Sequence, residues 1–333
     1  MGYQVVVTDY DYKDVNVERE LMQKYGIELI TAQCRTEEEV IQAAREADGI
    51  LNQYAPITKQ VIEQLDHCKV IARYGVGVNT IDVDEATRKG IIVSNVTDYC
   101  LDEVSDHSLA LLLALARKIT ILDQAVKHHN WDVTVAKPVF RLKDRILGLV
   151  GFGNIPQALA RKAKQLGFQI LAYDPFIPLS TASTLGVQLV QFEELFRRSD
   201  FISVHLPLNQ NTKGLIGHNA FQIMKKDAFL INTSRGPVIN ESALIQALTE
   251  KKIAGAALDV VEEEPISHQN PLLEMDNVIL TPHAAYYSEQ SQIELKSKSA
   301  QNIIDVLSGY YPDYIVNPSI KSTVKLQNKS SYM

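Results

Sequence analysis

Three polar side chains follow three strand-like runs in the second half of the sequence. Arg235 lies in the run 232–236, Glu264 closes an acidic run, and His283 follows a Thr-Pro pair. An arginine at the carboxyl end of a strand can clamp a carboxylate through two parallel hydrogen bonds. A histidine beside a carboxylate forms an acid–base pair, because the carboxylate orients the ring and favours its protonated form. The three residues therefore predict a site that binds a carboxylate and transfers a proton.

Each of these residues also has a structural interpretation. Arg235 could form a surface ion pair, Glu264 lies in an acidic run of the kind that is usually solvated, and His283 could cap a helix or pack in a core. Taken singly, each structural interpretation is the more common one. Their order and their shared place after strand ends favour one common site, since the carboxyl ends of parallel strands meet at one edge of a sheet.

A glycine-rich turn in the middle of the chain predicts a dinucleotide site. The sequence around it reads as a strand over 146–150, a turn, a helix over 158–166 and a strand over 169–173. Gly151 and Gly153 let the backbone approach a pyrophosphate, and the helix N-terminus offers unpaired N–H groups to the phosphates. Pro156 replaces the third glycine of the usual pattern, which a first helical turn tolerates.

The residue after the second strand indicates which dinucleotide is bound. Asp174 is placed to accept hydrogen bonds from a ribose diol. Its carboxylate would repel a 2′-phosphate, and the residues 175–178 that follow include no arginine or lysine to receive one. We therefore expect NAD(H) as the cofactor.

The elements that must position these residues alternate between strand and helix. The first hundred residues predict strands over 4–8, 28–31, 49–51, 70–72 and 91–94, with helices over 37–47 and 80–89. Later strands are predicted near 188 and over 201–205, 229–232, 254–259 and 278–280. Alternation of this kind is typical of α/β domains with parallel sheets.

Two long helices, over 102–121 and 289–307, flank the region of the glycine turn. We predict that residues 1–100 together with 289–320 form a substrate-binding domain and that 101–288 form an NAD-binding domain. The active site is then expected in the cleft between the two domains.

Three further segments complete the prediction. The stretch 128–141 holds Trp131 with little periodicity and reads as an arm. A short strand over 314–316 is expected to return to the first domain. The polar residues 321–333 predict a disordered tail.

Composition narrows the functional class. The chain has 333 residues, 46% of them hydrophobic, which suffices for about two domains. The net charge is −7 without a basic cluster, so we expect no nucleic-acid partner. The most apolar run, 108–116, is too short to span a bilayer, so we expect no membrane partner. The cysteines, at 34, 68 and 100, lack metal-ligand spacing, which indicates free thiols in a cytoplasmic protein and no metal site.

Six motifs resemble those of the D-isomer-specific 2-hydroxyacid dehydrogenase family. They lie at 73–79, 151–156, 205–208, 232–236, 258–265 and 281–285, and the resemblance runs from about residue 4 to residue 318. The run 281–290 is similar to the branch that contains the C-terminal binding protein corepressors and their bacterial relatives, where the animal proteins have tryptophan at the place of Tyr286. The resemblance implies two Rossmann-like or flavodoxin-like domains and a homodimer formed through the NAD-binding domains, with a contact at the arm around Trp131.

The resemblance also implies a role for each matching side chain of the catalytic group. His283 resembles the proton donor and acceptor, and Glu264 resembles its carboxylate partner. Arg235 resembles the residue that holds the carboxylate and carbonyl of the substrate. His205 is expected to shape the loop over the adenosine and to do no chemistry.

Binding roles follow from the same resemblance. It implies substrate contacts at Arg73, Val76, Gly77, Arg235 and Tyr286, with the backbone N–H groups of Val76 and Gly77 facing the substrate carboxylate. It implies cofactor contacts at Gly151, Gly153, Asn154, Ile155, Asp174, Pro207, Thr212, Thr233 and Asp259.

These roles predict the reversible reduction of a small 2-oxo acid to a D-2-hydroxy acid with NADH. Two alternatives remain. One is an NAD(H)-sensing binding protein of the corepressor type, because that branch carries the same three residues, although the sequence lacks long extensions suited to recruiting partners. The other is a phosphoglycerate dehydrogenase, here expected without a regulatory domain because the chain ends soon after the second long helix.

Overall fold

The computed structural model describes residues 2–329, which form two compact units. Unit 1 contains the residues up to Tyr99 together with those from Ser288 onward, and unit 2 is Cys100–Tyr287. Each unit has one parallel sheet. The two sheets confirm the predicted α/β fold class.

The first segment of unit 1 supplies five strands and four helices. The strands are β1 (Gln4–Val7), β2 (Glu28–Thr31), β3 (Gly49–Asn52), β4 (Val70–Arg73) and β5 (Ile92–Ser94), in the order β2-β1-β3-β4-β5. The helices are α1 (Asn16–Gln23), α2 (Glu37–Ala44), α3 (Lys59–Glu63) and α4 (Val83–Arg88). The inner strands are buried on both faces, which explains their continuous apolar sequences.

Unit 2 begins with two helices and then alternates strands with helices. The helices are α5 (Leu101–Arg117), α6 (Ile119–Lys127), α7 (Asn154–Gln165), α8 (Leu179–Thr184), α9 (Phe192–Arg198), α10 (His218–Ile223) and α11 (Glu241–Thr249). The strands are β6 (Ile146–Val150), β7 (Gln169–Tyr173), β8 (Gln188–Leu189), β9 (Phe201–Val204), β10 (Phe229–Asn232), β11 (Gly255–Leu258) and β12 (Val278–Leu280).

The sheet of unit 2 has the order β12-β11-β10-β9-β6-β7-β8, so the strand order reverses at β6. Alternate residues of each central strand face opposite cores, as the two-residue period of a strand requires. In β9, Phe201 packs with α5 and α7 residues, whereas Ile202 and Val204 pack with those of α9 to α11. Ligands of such sheets bind beyond the carboxyl ends of the strands, near the reversal.

The chain then returns to unit 1 through α12 (Glu289–Leu307). This helix starts at a capping box in which the Ser288 side chain accepts from the Ser291 N–H. It packs against α1, β3 and β4 and so covers one face of the first sheet.

The structure departs from the prediction of one helix over 102–121. Lys118 adopts a left-handed conformation with φ 55°, and the chain changes direction there from α5 into α6. Neither glycine nor proline marks the break, so the local sequence gives no signal of it.

The segment after α12 differs from the prediction in two places. Residues 314–316 do not form a strand, although the Val316 N–H donates to the Val93 carbonyl at 2.9 Å. Residues 321–329, where we expected disorder, are held by backbone hydrogen bonds of Gln327 with Gly309 and Tyr311. A polar sequence does not prevent such backbone pairing. The last part of the predicted tail, 330–333, lies outside the described residues.

No helix within residues 2–329 is both long enough and apolar enough to cross a bilayer.

Candidate active site

The glycine turn follows β6 and leads into α7. Gly151 has φ 94°, and a Cβ there would lie 2.5 Å from the carbonyl oxygen of His205. A side chain at Gly153 would meet no heavy atom within 4 Å, so the backbone at the start of α7 is open. Asn154 and Ile155 form the first helical turn beside it. This open, donor-rich helix start fits a dinucleotide pyrophosphate.

Asp174 lies directly after β7 and is tied to the same turn. Its Oδ2 accepts from the Phe152 N–H at 2.9 Å, and its Oδ1 accepts from the Phe176 N–H at 2.9 Å. These two bonds fix the carboxylate beside the glycine turn. The placement fits the ribose-binding role predicted for Asp174.

The loop after β9 carries two more of the predicted cofactor residues. The Thr212 hydroxyl donates to the Pro207 carbonyl at 2.6 Å, which closes the loop on itself. Nε2 of His205 lies 2.8 Å from Oγ of Ser203, and burial lowers the pKa of His205 to about 3. His205 is therefore neutral at physiological pH and unsuited to donating a proton.

The loop that follows β10 carries Arg235. The Asn232 side chain organises this loop, because its Oδ1 accepts from the Ser234 N–H at 3.0 Å and its Nδ2 donates to the Arg235 carbonyl at 3.0 Å. A Cβ at Gly236 would lie 1.7 Å from the Val261 carbonyl oxygen. Only glycine allows this approach, which brings the loop of Arg235 against the loop after β11.

Glu264 and His283 meet at the ends of β11 and β12. His283 Nδ1 lies 2.8 Å from Glu264 Oε2, and the two side chains are 38–42% exposed. His283 has φ 52°, a left-handed conformation that is uncommon for a residue with a side chain. The Tyr286 ring stands edge-on to the His283 ring, with 6.4 Å between the ring centroids.

Electrostatics favours a charged Glu264. Burial, the largest single effect, raises the pKa of Glu264. The hydrogen bond and charge of His283, the Val261 N–H and the charge of Arg235 act in the opposite direction and together hold the pKa below its ordinary value. The structure thus brings Arg235, Glu264 and His283 into one electrostatic group.

Asp259 joins the loops after β11 and β12. Its Oδ1 accepts from the Thr281 hydroxyl at 2.5 Å and from the Ala284 N–H at 2.9 Å, and its Oδ2 accepts from the Ala285 N–H at 3.0 Å. The His283 N–H donates to the Asp259 carbonyl at 2.8 Å. Asp259 therefore fixes the backbone on both sides of His283, besides the cofactor role predicted for it.

The remaining predicted substrate residues lie in unit 1, at the carboxyl end of β4. The guanidinium of Arg73 donates to the Tyr74 carbonyl and lies 5.9 Å from the centroid of the Tyr54 ring. Val76 is exposed, and the Asn95 side chain donates to its carbonyl at 2.7 Å. Gly77 follows in the same loop.

Sequence reasoning missed the side chains that support these loops. The buried hydroxyl of Tyr74, the residue after Arg73, donates to Oε1 of the buried Glu18 at 2.8 Å. In unit 2, His107 and Ser108 of α5 contact Thr281 and Thr233. The only local signal was the run of four polar residues 105–108, which precedes the apolar second half of α5.

A cavity of about 1000 Å³ lies at the opposite edge of the unit 2 sheet. It is lined by residues at the amino ends of the strands, such as Asp200, Phe201 and Phe229, and by Phe140 and Arg145. None of the predicted site residues within 2–329 lines it. The predicted catalytic residues follow the carboxyl ends of the strands instead.

Comparison with known proteins identifies the family. Residues 109–285 match the family model described as "D-isomer specific 2-hydroxyacid dehydrogenase, NAD binding domain". The chain belongs to this family. The match places the glycine turn, Asp174, Arg235, Glu264 and His283 in an NAD-binding domain, which confirms NAD as the cofactor.

Curated relatives extend the similarity over the whole chain. The chain is 39% identical to a D-3-phosphoglycerate dehydrogenase of Methanocaldococcus jannaschii over 332 residues, which are 99% of this chain and 62% of that protein. It thus spans less than two thirds of that relative. It is 38% identical to a glyoxylate reductase of Korarchaeum cryptofilum over 285 residues, which are 84% of this chain and 86% of the relative.

A solved structure gives the same result for the fold. A D-lactate dehydrogenase from Aquifex aeolicus complexed with NAD and lactic acid superposes with a TM-score of 0.81 at 27% identity, covering 92% of this chain and 96% of that chain. The predicted family is confirmed. The closer similarity to the corepressor branch stays a prediction.

Proposed function

We propose that this protein reversibly reduces a small 2-oxo acid to the corresponding D-2-hydroxy acid with NADH. The observation that carries the proposal is the 2.8 Å contact of His283 Nδ1 with Glu264 Oε2, beside the loop of Arg235. A ring held through Nδ1 presents Nε2 as the atom that exchanges a proton with the substrate. Relatives named glyoxylate reductase and D-3-phosphoglycerate dehydrogenase support the same reaction class.

Each side chain of the site then has a defined role. Protonated His283 gives its proton to the carbonyl oxygen as negative charge develops there, and Glu264 holds the ring in orientation. Arg235 stabilises the same oxygen and the substrate carboxylate. When bound at the glycine turn, NADH supplies the hydride.

The cofactor preference follows from the residues around Asp174. Its carboxylate is fixed beside the glycine turn, and residues 175–178 offer no cation for a 2′-phosphate. We propose that Asn154, Ile155, Pro207, Thr212, Thr233 and Asp259 complete the NAD site.

The division of labour between the domains is part of the proposal. Residues 1–100 with 289–320 would bind the substrate through Arg73, Val76 and Gly77, residues 101–288 would bind NAD, and Tyr286 would line the substrate pocket. We also propose a cytoplasmic homodimer formed through the NAD-binding domains. The exposed arm around Trp131 supports the dimer. The three free cysteines support the cytoplasmic location.

A direct assay tests the function. Purified protein is mixed with NADH or NADPH and with glyoxylate, hydroxypyruvate or phosphohydroxypyruvate, and the loss of absorbance at ~340 nm is followed. We expect turnover of at least one acid with NADH and much less with NADPH. Replacing His283 with Gln should reduce kcat by about 10²–10⁴-fold. Replacing Arg235 with Lys, which keeps the charge and loses the planar fork, should not preserve activity.

Two results would contradict the proposal. Tight NADH binding without turnover of any acid would favour the binding protein of the corepressor type. Full activity of the His283→Gln variant would remove the proposed proton donor.

A further inference from the structure

Helix α5 contacts both loops that carry the proposed catalytic residues. His107 Nε2 lies 3.0 Å from Oγ1 of Thr281, and Ser108 Oγ lies 2.8 Å from Oγ1 of Thr233. Each threonine precedes a functional residue by two positions, Thr281 before His283 and Thr233 before Arg235. One turn of a single helix thus touches the two loops at corresponding places.

The direction of the hydrogen bond between His107 and Thr281 follows from the number of donor hydrogens available. Thr281 has one hydroxyl hydrogen, which it donates to Asp259 Oδ1 at 2.5 Å, because an ionised carboxylate can only accept. The Thr281 oxygen must therefore accept from His107, so Nε2 of His107 carries a hydrogen. His107 Nε2 also lies 3.5 Å from Asp259 Oδ1.

The chain of bonds that starts at His107 ends on the backbone around His283. Asp259 accepts from the N–H groups of Ala284 and Ala285, the two residues after His283. The left-handed backbone of His283 is a conformation that persists only where the surroundings fix it. The hydrogen bonds that run from His107 through Thr281 to Asp259 hold the His283 backbone in this conformation.

The number of donor hydrogens also gives the direction of the hydrogen bond between Ser108 and Thr233. The Ser108 hydroxyl donates to the Val104 carbonyl at 2.7 Å, so the Thr233 hydroxyl donates to Ser108. Ser108 and Thr233 are both buried, at 1% and 8% exposure. Because a buried hydroxyl that loses its partner is unfavourable, this bond holds the Arg235 loop at one place on α5.

We propose that His107 is a positioning residue for the reaction, which acts through Thr281 and Asp259 to hold His283, and that Ser108 does the same for the loop of Arg235. The proposal rests on the proposed function, because it requires His283 to act as the proton donor. A rigid helix that holds both loops sets their separation more closely than loops can by themselves.

The test compares two replacements of His107 in the full-length protein. Phe keeps a ring and removes the donor, whereas Gln restores an N–H near the position of Nε2. We expect His107→Phe to lower kcat of reduction about tenfold, with KM for the oxo acid and Kd for NADH changed less than about threefold. His107→Gln should stay within about threefold of the wild type. His67→Phe, a change at an exposed histidine of unit 1, serves as the control.

A second measurement does not depend on activity. Hydrogen exchange of the Ala284 and Ala285 amides in the cofactor-free protein should become about tenfold faster in His107→Phe and stay near wild type in His107→Gln. A purely structural role of His107 would lower the melting temperature and leave kcat of the remaining folded protein unchanged.

A double-mutant cycle with Thr281→Val tests the inference even if the His107→Phe variant folds poorly. Because both residues act in one chain of bonds, Thr281→Val alone should reproduce the loss of kcat, and the double variant should lose little more. Additive losses, or wild-type kcat and exchange in both single variants, would overturn the inference. Wild-type protein without turnover would instead overturn the proposed function.

Discussion

Glu264 is charged at neutral pH because its interactions with His283, Val261 and Arg235 outweigh its burial. The charged carboxylate lies 2.8 Å from Nδ1 of His283, the residue proposed to give its proton to the oxo acid. The charge of Glu264, and not only its shape, should therefore govern the pH dependence of the reaction.

Replacing Glu264 with Gln tests this charge while keeping the side-chain shape. The alkaline fall in the rate of reduction should move to lower pH, because the variant loses the negative charge beside the proton donor. The acid fall in the rate of oxidation should move in the same direction, since oxidation requires neutral His283. The measurement is a pair of pH–rate profiles, with Glu263→Gln as the control. Unshifted profiles in Glu264→Gln would point to Glu262 or Glu263 as the tuning carboxylate.

His205 makes a different prediction, about stability. Its pKa of about 3 in the folded protein lies below the ordinary 6.5, so the unfolded chain binds one proton more between these pH values. The free energy of unfolding should therefore fall as pH decreases below 6.5, by about 1.4 kcal/mol per unit from this residue. Replacement with Gln removes the titration.

The check is urea unfolding of wild type and His205→Gln at pH 7.5 and pH 5. The wild-type free energy of unfolding relative to the variant should drop by about 2 kcal/mol between the two pH values. A constant difference would mean that folding does not lower the pKa of His205.

At the scale of elements, the strands and the last helix were predictable because their signals are local. Apolar runs bounded by polar residues located β10 and β12, and amphipathic periodicity located α12 at its observed bounds. The break at Lys118 depends on a backbone conformation that the sequence does not mark. The contact of His107 with Thr281 joins residues 174 positions apart. It could not be predicted from local sequence, because only the folded sheet brings the two residues together.

Gly148 in β6 and Gly153 before α7 have different predicted roles, the first in packing and the second in cofactor binding. A Cβ at Gly148 would lie 2.3 Å from Ser199 Oγ and 2.7 Å from Leu195 Cδ2, so Gly148→Ala should destabilise the protein by about 1–3 kcal/mol. Gly153 has open space, so Gly153→Ala should change stability by less than about 1 kcal/mol and weaken NADH binding at least about tenfold. Thermal unfolding and fluorescence titration with NADH distinguish the two effects. Unchanged NADH affinity in Gly153→Ala would place the pyrophosphate elsewhere.

At the scale of the whole molecule, seven of the large apolar side chains exposed within residues 2–329 fall in the segment 119–140 of unit 2. Trp131 is 89% exposed and Val133 is 71% exposed, and Val126, Val139 and Phe140 are exposed nearby. Exposed apolar side chains grouped along one segment favour an interface with another protein. It is the part of the molecule where we propose the contact between two copies.

Replacing Trp131 with Glu tests that contact. We expect wild-type protein to be dimeric by light scattering at ~10 µM and the Trp131→Glu variant to shift toward the monomer, because a buried charge opposes association. Phe176→Glu, at an aromatic residue that is 91% exposed outside the arm, is the matched control and should remain dimeric. A monomeric wild type, or equal dimerisation of the two variants, would remove the arm from the proposed interface.

The return of the chain through α12 sets an order on folding during synthesis. Unit 2 is one continuous segment, whereas the sheet of unit 1 needs a helix that ends at Leu307 to cover one face. At ~5–20 residues per second, the ribosome reaches that helix about 10–40 s after Tyr99. Unit 2 can therefore fold first. Until α12 is synthesised, the apolar face of the amino-terminal sheet stays exposed to chaperones and to neighbouring nascent chains.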